Sequence, residues 1–134
     1  MKKLLLVLTV ALISTTFAQS QCKDPYKSTI TSINKALQIG NVDEISNHFA
    51  ATIDASILSK EGIFSASQTK NILKDFFKQH KPKSFELLHS SGKNDSKYCI
   101  GNLETNNGTF RVFYIIKNSV TLPLITQFRI EEKN

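Results

Sequence analysis

The sequence lacks the short motifs that mark most metal, nucleotide and hydrolase chemistry. It contains no HExxH, no CxxC pair, no GxSxG turn and no glycine-rich phosphate loop, each of which fixes a metal, a nucleophile or a phosphate in a defined geometry. Metal and nucleotide chemistry are therefore disfavoured, and the sequence predicts no cofactor and no metal site. Glycine and proline are also few, with five and three among 134 residues, which argues against a disordered or low-complexity chain.

Cysteine is scarce as well, and only Cys22 and Cys99 are present. An oxidising compartment would allow one bridge between them, tying the N-terminal segment to a strand. The alternative is two unpaired thiols, with Cys99 buried in a strand and Cys22 near the terminus, because a bridge needs Cα atoms within about 7 Å of each other. The sequence leaves both interpretations open.

What is present begins with residues 1–18, which have the pattern of an export signal. Lys2 and Lys3 precede an apolar run over residues 4–13, and small residues follow up to Ala18, an order typical of a signal peptide. The stretch of residues 4–17 is short of the roughly 20 residues that span a bilayer as a helix, so a signal peptide is favoured over a membrane anchor. We predict cleavage after Ala18 and a periplasmic or secreted protein with no transmembrane span.

The remaining residues, 19–134, have room for a single domain. Hydrophobic residues at 40% and charged residues at 21% are ordinary for a globular protein with a packed core. Removing Lys2 and Lys3 from the 17 basic residues leaves 15 against 11 acidic residues, a net charge of +4. The lysines are not interleaved with stacking aromatics, so nucleic acid is not a predicted partner, whereas anionic envelope components remain candidates.

Three helices and one strand are predicted before the last section. Asp24 and Gly40 bound a first helix as N-cap and C-terminal glycine. Asn41 caps a short second helix, whose buried stripe is predicted to consist of Val42, Ile45 and Phe49. Alternation over residues 53–57 predicts a strand, and residues 59–62 are predicted to turn the chain into a third helix that begins with a capping box of Ser65 and Gln68. The first helix has a single apolar face, formed by Tyr26, Ile30, Ile33 and Leu37.

The section from Ser84 to Glu132 carries four apolar, β-rich runs. Residues 106–108, Asn-Asn-Gly, between the second and third runs are the strongest hairpin signal in the chain, because Asn and Gly accept the positive φ angles of a tight turn. The third run has apolar residues on both faces, which is unusual for a sheet half exposed to water. One face is predicted to pack on the helices. The other, bearing Phe113 and Ile115, is predicted to form a homodimer surface.

This order of elements predicts an α+β fold, a roll in which a bent antiparallel sheet wraps around a helix, and it resembles the nuclear transport factor 2-like (cystatin-like) superfamily. More closely, it resembles an exported bacterial family, Domain of Unknown Function 4783. The segments that carry this resemblance are ILKDFF at 72–77, YCIGNLET at 98–105, GTFRVF at 108–113 and FRIE at 128–131. The resemblance implies the fold and a cavity between the sheet and the helices. It transfers no functional residue, because that family has no assigned activity.

His89 and Tyr114 are the candidate polar residues of such a cavity. Alternation from Phe85 and Leu87 predicts His89 on the same strand face as those two apolar residues, and Tyr114 shares its face with other apolar residues of its run. Phe76 and Phe128 are further candidate pocket residues. His89 and Tyr114 are each also explained by core packing with one satisfied polar group.

The sequence favours a non-catalytic, exported binding or interaction module that holds a small apolar ligand or an envelope protein. The alternative is a cofactor-free isomerase, dehydratase or hydrolase that uses His89 with Tyr114, which requires both side chains to converge in one pocket. The sequence does not decide whether the protein is an enzyme, although it favours binding. A basic stripe formed by Lys70, Lys74 and Lys78 is predicted to be solvated, or to contact an anionic surface.

Overall fold

The computed structural model describes residues 24–134. A curved sheet of six strands packs against three helices in an α+β arrangement, which confirms the predicted fold class. The elements in chain order are α1 (Pro25–Ile39), α2 (Val42–Ser46), β1 (Phe49–Ile57), β2 (Lys60–Ser65), α3 (Ala66–Gln79), β3 (Pro82–Lys93), β4 (Ser96–Thr105), β5 (Gly108–Lys117) and β6 (Leu124–Glu132).

The helices begin and end where their capping residues predict. The Asp24 side chain accepts a hydrogen bond from the backbone N–H of Tyr26 at 3.0 Å, and Gly40 ends α1 with a φ of 69°, a conformation that costs glycine little. Ser65 and Gln68 form both halves of the predicted capping box at the start of α3. These caps satisfy backbone donors and acceptors that a helix end leaves unpaired.

Two predictions in the first half of the chain are wrong. Residues 60–65 form the edge strand β2, paired antiparallel with β1, whereas the sequence predicted a turn over residues 59–62 and no strand before the third helix. Phe49, predicted to extend the apolar stripe of α2, instead begins β1. Phe49 pairs with Ile125 of the distant strand β6, whereas β2 is an edge strand that follows β1 across a two-residue turn and has little alternation of buried and exposed residues. The local sequence pattern of both segments therefore carries a weak signal.

The sheet has the strand order β2-β1-β6-β5-β4-β3. Neighbouring strands are antiparallel except for β1 and β6, which are parallel. The predicted tight turn joins β4 to β5, and Thr105 pairs with Gly108 across it. We call the face that packs on the helices the inner face and the opposite one the outer face. The inner face supplies most of the buried core, including Leu103, Val112, Tyr114, Ile116, Phe128 and Ile130.

Candidate functional site

The inner face is filled by the aromatic residues predicted to line a cavity. Tyr114 and Phe128 have no exposed surface, and their rings stack with centroids 6.3 Å apart. Phe76 of α3 is 4% exposed and meets Phe110 edge to face at 5.1 Å; it also borders a shallow groove of about 170 Å³ beside the β1–β2 turn. These rings occupy the space in which an enclosed ligand would lie.

Tyr114 is a hydrogen-bond donor in this core. Its hydroxyl donates to Asn34 Oδ1 of α1 at 2.8 Å. Burial raises the pKa of the Tyr114 phenol well above its usual value of 10, because the buried phenolate would be poorly solvated. The group therefore stays protonated near neutral pH and holds the sheet to α1.

His89 does not share a face with Tyr114, and that prediction is wrong. The register between β3 and β4 shifts after Leu87, so that Leu88 is an extra, bulged residue. Beyond the bulge His89 lies opposite Ile100, which lies opposite Phe113 on the outer face. A bulge reverses the side-chain alternation that follows it, so the two residues of the alternative enzyme hypothesis lie on opposite sides of the sheet.

The outer face carries a partly exposed row of aromatic and aliphatic side chains on β3, β4 and β5. Phe113 and Ile115 lie on this face and are half-buried, as their alternation predicts. Tyr98 stacks on Phe113 with centroids 6.1 Å apart, and its hydroxyl lies 3.2 Å from His89 Nε2. We call Tyr98, Ile100, Phe113 and Ile115, together with His89, the outer aromatic row.

A groove of about 390 Å³ lies beside this row. Ile100 and Phe113 form its apolar floor, and charged or polar side chains of β5 and β6 form its walls. With the Gln127 amide turned to match its neighbours, its oxygen accepts two hydrogen bonds of 3.1 Å from Arg129, which fix that guanidinium. Within residues 24–134 neither Arg111 nor Arg129 has a carboxylate at ion-pair distance.

Sequence reasoning missed Tyr98, Ile100 and the two arginines as outer-face residues. Tyr98 and Ile100 could have been predicted from the hairpin turn at residues 106–107. Counting back from its paired ends, Thr105 and Gly108, places Ile100 beside Phe113 and Tyr98 beside Ile115.

The remaining predicted residues are the two cysteines and the basic stripe. Cys99 is buried on the inner face, where its thiol donates to Ser90 Oγ at 3.5 Å. Cys22 lies outside the described residues, so a bridge between the two stays a prediction. In the basic stripe, Lys70 forms an ion pair of 2.9 Å with Asp43. The hydrogen bond and charge of Lys70 lower the pKa of Asp43, and the charge of Lys74 adds to this.

Residues 24–134 contain neither a helix suited to span a membrane nor a cluster of metal-ligating side chains. None of the three helices is long and apolar enough to cross a bilayer. No three side chains among His, Cys, Asp and Glu come together as a metal site would require.

The chain is similar to proteins whose structures are solved. A DUF4783 family protein from Bacteroides uniformis ATCC 8492 shares 27% identity with a TM-score of 0.74, over 78% of this chain and 96% of that one. A DUF4783 family protein from Bacteroides fragilis YCH46 also shares 27% identity, with a TM-score of 0.71 over 76% of this chain and 96% of that one. No curated protein matches.

The fold is shared more widely than the family. An NTF2-like protein of unknown function from Burkholderia xenovorans LB400 superposes with a TM-score of 0.63 at 9% identity, over 82% of this chain and 84% of that one. Such low identity shows a common fold and carries nothing about function. The family model described as "Domain of unknown function (DUF4783)" matches residues 30–131. This chain therefore belongs to the DUF4783 family and has a nuclear transport factor 2-like fold.

Proposed function

We propose that this protein is an exported, non-catalytic interaction module that pairs with a second copy of itself through the outer face of its sheet. The observation that carries the proposal is the outer aromatic row: the central strands present apolar and aromatic side chains on the face that no helix covers. Burying such side chains gains roughly 25 cal/mol per Å² of apolar surface, so a partner on this face would be stabilised.

The size of the outer face supports a dimer. Six strands about 4.8 Å apart and roughly nine residues long cover on the order of 700 Å². Stable interfaces bury about 800 Å² on each partner. One copy of the sheet therefore has about the area that a symmetric pair needs.

The charges of the outer face also support self-pairing. Arg111 and Glu131 are cross-strand partners, and Arg129 neighbours Phe113. Glu104 lies on the same face of β4 and is exposed. A two-fold dimer packs this whole face against its own copy, so positive groups of one copy can contact negative groups of the other. A face that bears both signs of charge around an apolar centre suits such an interface.

The test is the mass in solution of residues 19–134 at micromolar concentration. We expect a dimer by light scattering, and Phe113→Lys is expected to give a monomer with unchanged circular dichroism, because a charge would be buried in the interface. Gln38→Lys also introduces a lysine, at an exposed position of α1. It serves as the control and should leave the dimer intact. A monomer at all concentrations in the unmodified protein would refute self-pairing, and capture of a different envelope protein on this face would replace it.

Export is tested separately. Expression of the full chain with its own N-terminus in a Gram-negative host is expected to yield protein outside the cytoplasm that starts at Gln19. Retention of Met1 in the cytoplasmic fraction would contradict the export half of the proposal. Thiol labelling of that exported protein, denatured without reduction, would also show whether Cys22 and Cys99 are bonded: two reactive thiols would end the disulfide prediction.

A further inference from the structure

A second groove lies between α1 and the strands β3 and β4. Its volume is about 370 Å³, within the range of roughly 300–1,000 Å³ that is common for small-molecule sites. Ile30 of α1 and Leu87 of β3 give it apolar surface. The polar side chains around it show which kind of ligand would fit.

Asn34 presents amide hydrogens to this groove. Its Oδ1 accepts the hydrogen bond of the Tyr114 hydroxyl at 2.8 Å, and the buried Tyr114 stays protonated because burial raises its pKa. An amide whose oxygen faces the core directs its two N–H donors the other way. Within residues 24–134 the Asn34 Nδ2 has no acceptor, so these donors are available to a ligand.

Ser90 offers a second donor by the same reasoning. The thiol of Cys99, which has no exposed surface, donates to Ser90 Oγ at 3.5 Å. A hydroxyl that accepts one hydrogen bond still has its own hydrogen to donate. The buried Tyr114 and Cys99 thus donate hydrogen bonds to Asn34 and Ser90, respectively. Asn34 and Ser90 in turn keep their own hydrogens for a ligand in the groove.

The charges around the groove, like its hydrogen-bond donors, favour an anionic ligand. Lys27 and Lys97 line it together with Asp24, which leaves one positive charge in excess. Asp24 is already used: it caps α1 through the backbone N–H of Tyr26 and lies 3.6 Å from Lys97 Nζ. The groove therefore combines hydrogen-bond donors, a net positive charge and an apolar wall.

We infer that this groove binds a small molecule with an anionic group attached to an apolar body. The anionic group accepts hydrogen bonds from Asn34 Nδ2 and the Ser90 hydroxyl beside Lys27 and Lys97. Its apolar body lies against Ile30 and Leu87. Hydrogen bonds to a charged group are stronger than those between neutral groups, so the charge of the ligand decides its affinity.

The experiment uses two probes with similar aromatic bodies: anilinonaphthalene sulfonate, which is anionic, and N-phenyl-1-naphthylamine, which is neutral. Residues 19–134 are expected to bind the sulfonate at one site per chain and the neutral probe about tenfold more weakly. Amide chemical shifts should change at Asn34 and Ser90. Equal affinity for both probes, shift changes centred on Phe113, or no saturable binding of the sulfonate would overturn the inference.

Matched variants give the sharper test. Asn34→Asp keeps an acceptor for Tyr114 but turns a carboxylate toward the groove, and should weaken sulfonate binding by about tenfold or more. Asn71→Asp makes the same change at an exposed position of α3 and should have no effect on sulfonate binding. Lys27→Gln should weaken binding by a smaller factor, whereas Lys35→Gln on the same helix should not. Unchanged binding in both Asn34→Asp and Lys27→Gln would refute the site.

This inference does not rest on the proposed dimer, because the groove and the outer face lie on opposite sides of the sheet. Light scattering on the same samples reports the two separately. Binding by a monomeric Phe113→Lys variant would support the groove even if self-pairing failed.

Discussion

The two faces of the sheet are built from similar residues but are covered differently. On the inner face Tyr114 and Phe128 are sealed by helices, and the Tyr114 hydroxyl has a defined partner in Asn34. On the outer face Phe113 and Tyr98 contact each other and remain half-exposed. The comparison shows that an apolar strand residue indicates a buried surface only when a second layer covers it, and this sheet has one layer of helices.

The largest expected difference between the faces is in the cost of removing an aromatic ring. Phe128→Ala should lower the free energy of unfolding by about 3–5 kcal/mol, because it leaves a cavity in packed core. Phe113→Ala should lower it by about 1 kcal/mol or less, because its site opens to solvent. Urea unfolding at a concentration where both variants are monomeric measures this. Equal losses would show that the outer face is covered within one chain.

Alanine substitutions at two neighbouring residues of β4 should distinguish the faces again. A Cβ at Gly101, on the inner face, would lie 2.7 Å from the carbonyl oxygen of Glu86 and would also meet the Phe85 ring. Gly101→Ala should therefore cost about 1–3 kcal/mol through overpacking. Asn102 faces outward, and its Oδ1 is shielded without a hydrogen-bond partner in the described residues.

Asn102→Ala is the matched change, and it should alter the free energy of unfolding by about 0.5 kcal/mol or less, since it removes an unpaired polar atom. Thermal and urea unfolding of the two variants compare them directly. A larger loss for Asn102→Ala than for Gly101→Ala would contradict the assignment of the faces.

The polar group of the inner face predicts a pH effect. Since the pKa of Tyr114 is raised in the folded state, only the unfolded chain releases this proton above about pH 10. Its contribution to stability is therefore complete below pH 10 and decreases by about 1.4 kcal/mol per pH unit above it. Tyr114→Phe should lose about 1 kcal/mol near neutral pH but lack this alkaline decrease. Parallel curves for the two proteins above pH 10 would argue against a buried phenol.

The smallest effect is expected for His89 on the outer face. His89→Ala removes a ring that is exposed and touches Tyr98, so the free energy of unfolding should change by less than about 0.5 kcal/mol. His48, which is largely buried between α2 and β1, is a useful comparison and should cost more when changed to Ala. A loss for His89→Ala as large as that for His48→Ala would place His89 in a covered site.

The features predicted correctly from the sequence are those that depend on residues close together in the chain. The ends of α1 and α3 follow from Asp24, Gly40 and the Ser65–Gln68 box because caps act within a few residues. The position of the turn at residues 106–107 was also predicted correctly from Asn106, Asn107 and Gly108, although of these three only Gly108 has a positive φ, of 137°. The family and the fold class were also predicted correctly, because the four segments that carry the resemblance consist of packing and turn residues that specify this sheet.

The features that were not predicted depend on the pairing of strands or on contacts between elements. β2 is held by its pairing with β1, and its own sequence has little alternation. The side on which His89 lies is set by the bulge at Leu88, which arises from the register against β4. The groove beside α1 needs Asn34 and Ser90 to meet residues 80 and nine positions away. No short window of sequence contains both Asn34 and Tyr114, and the pairing of Ser90 with Cys99 depends on the register between β3 and β4.

The position of β6 has a consequence for how the chain folds. The last strand is inserted between β1 and β5, so the N-terminal hairpin and the three-stranded meander β3–β5 are joined into one sheet only after residues near the C-terminus have been made. Such long-range pairing slows folding. Until β6 is in place, the edges of β1 and β5 that it joins would lack a partner, and unpaired strand edges of this kind are prone to aggregation.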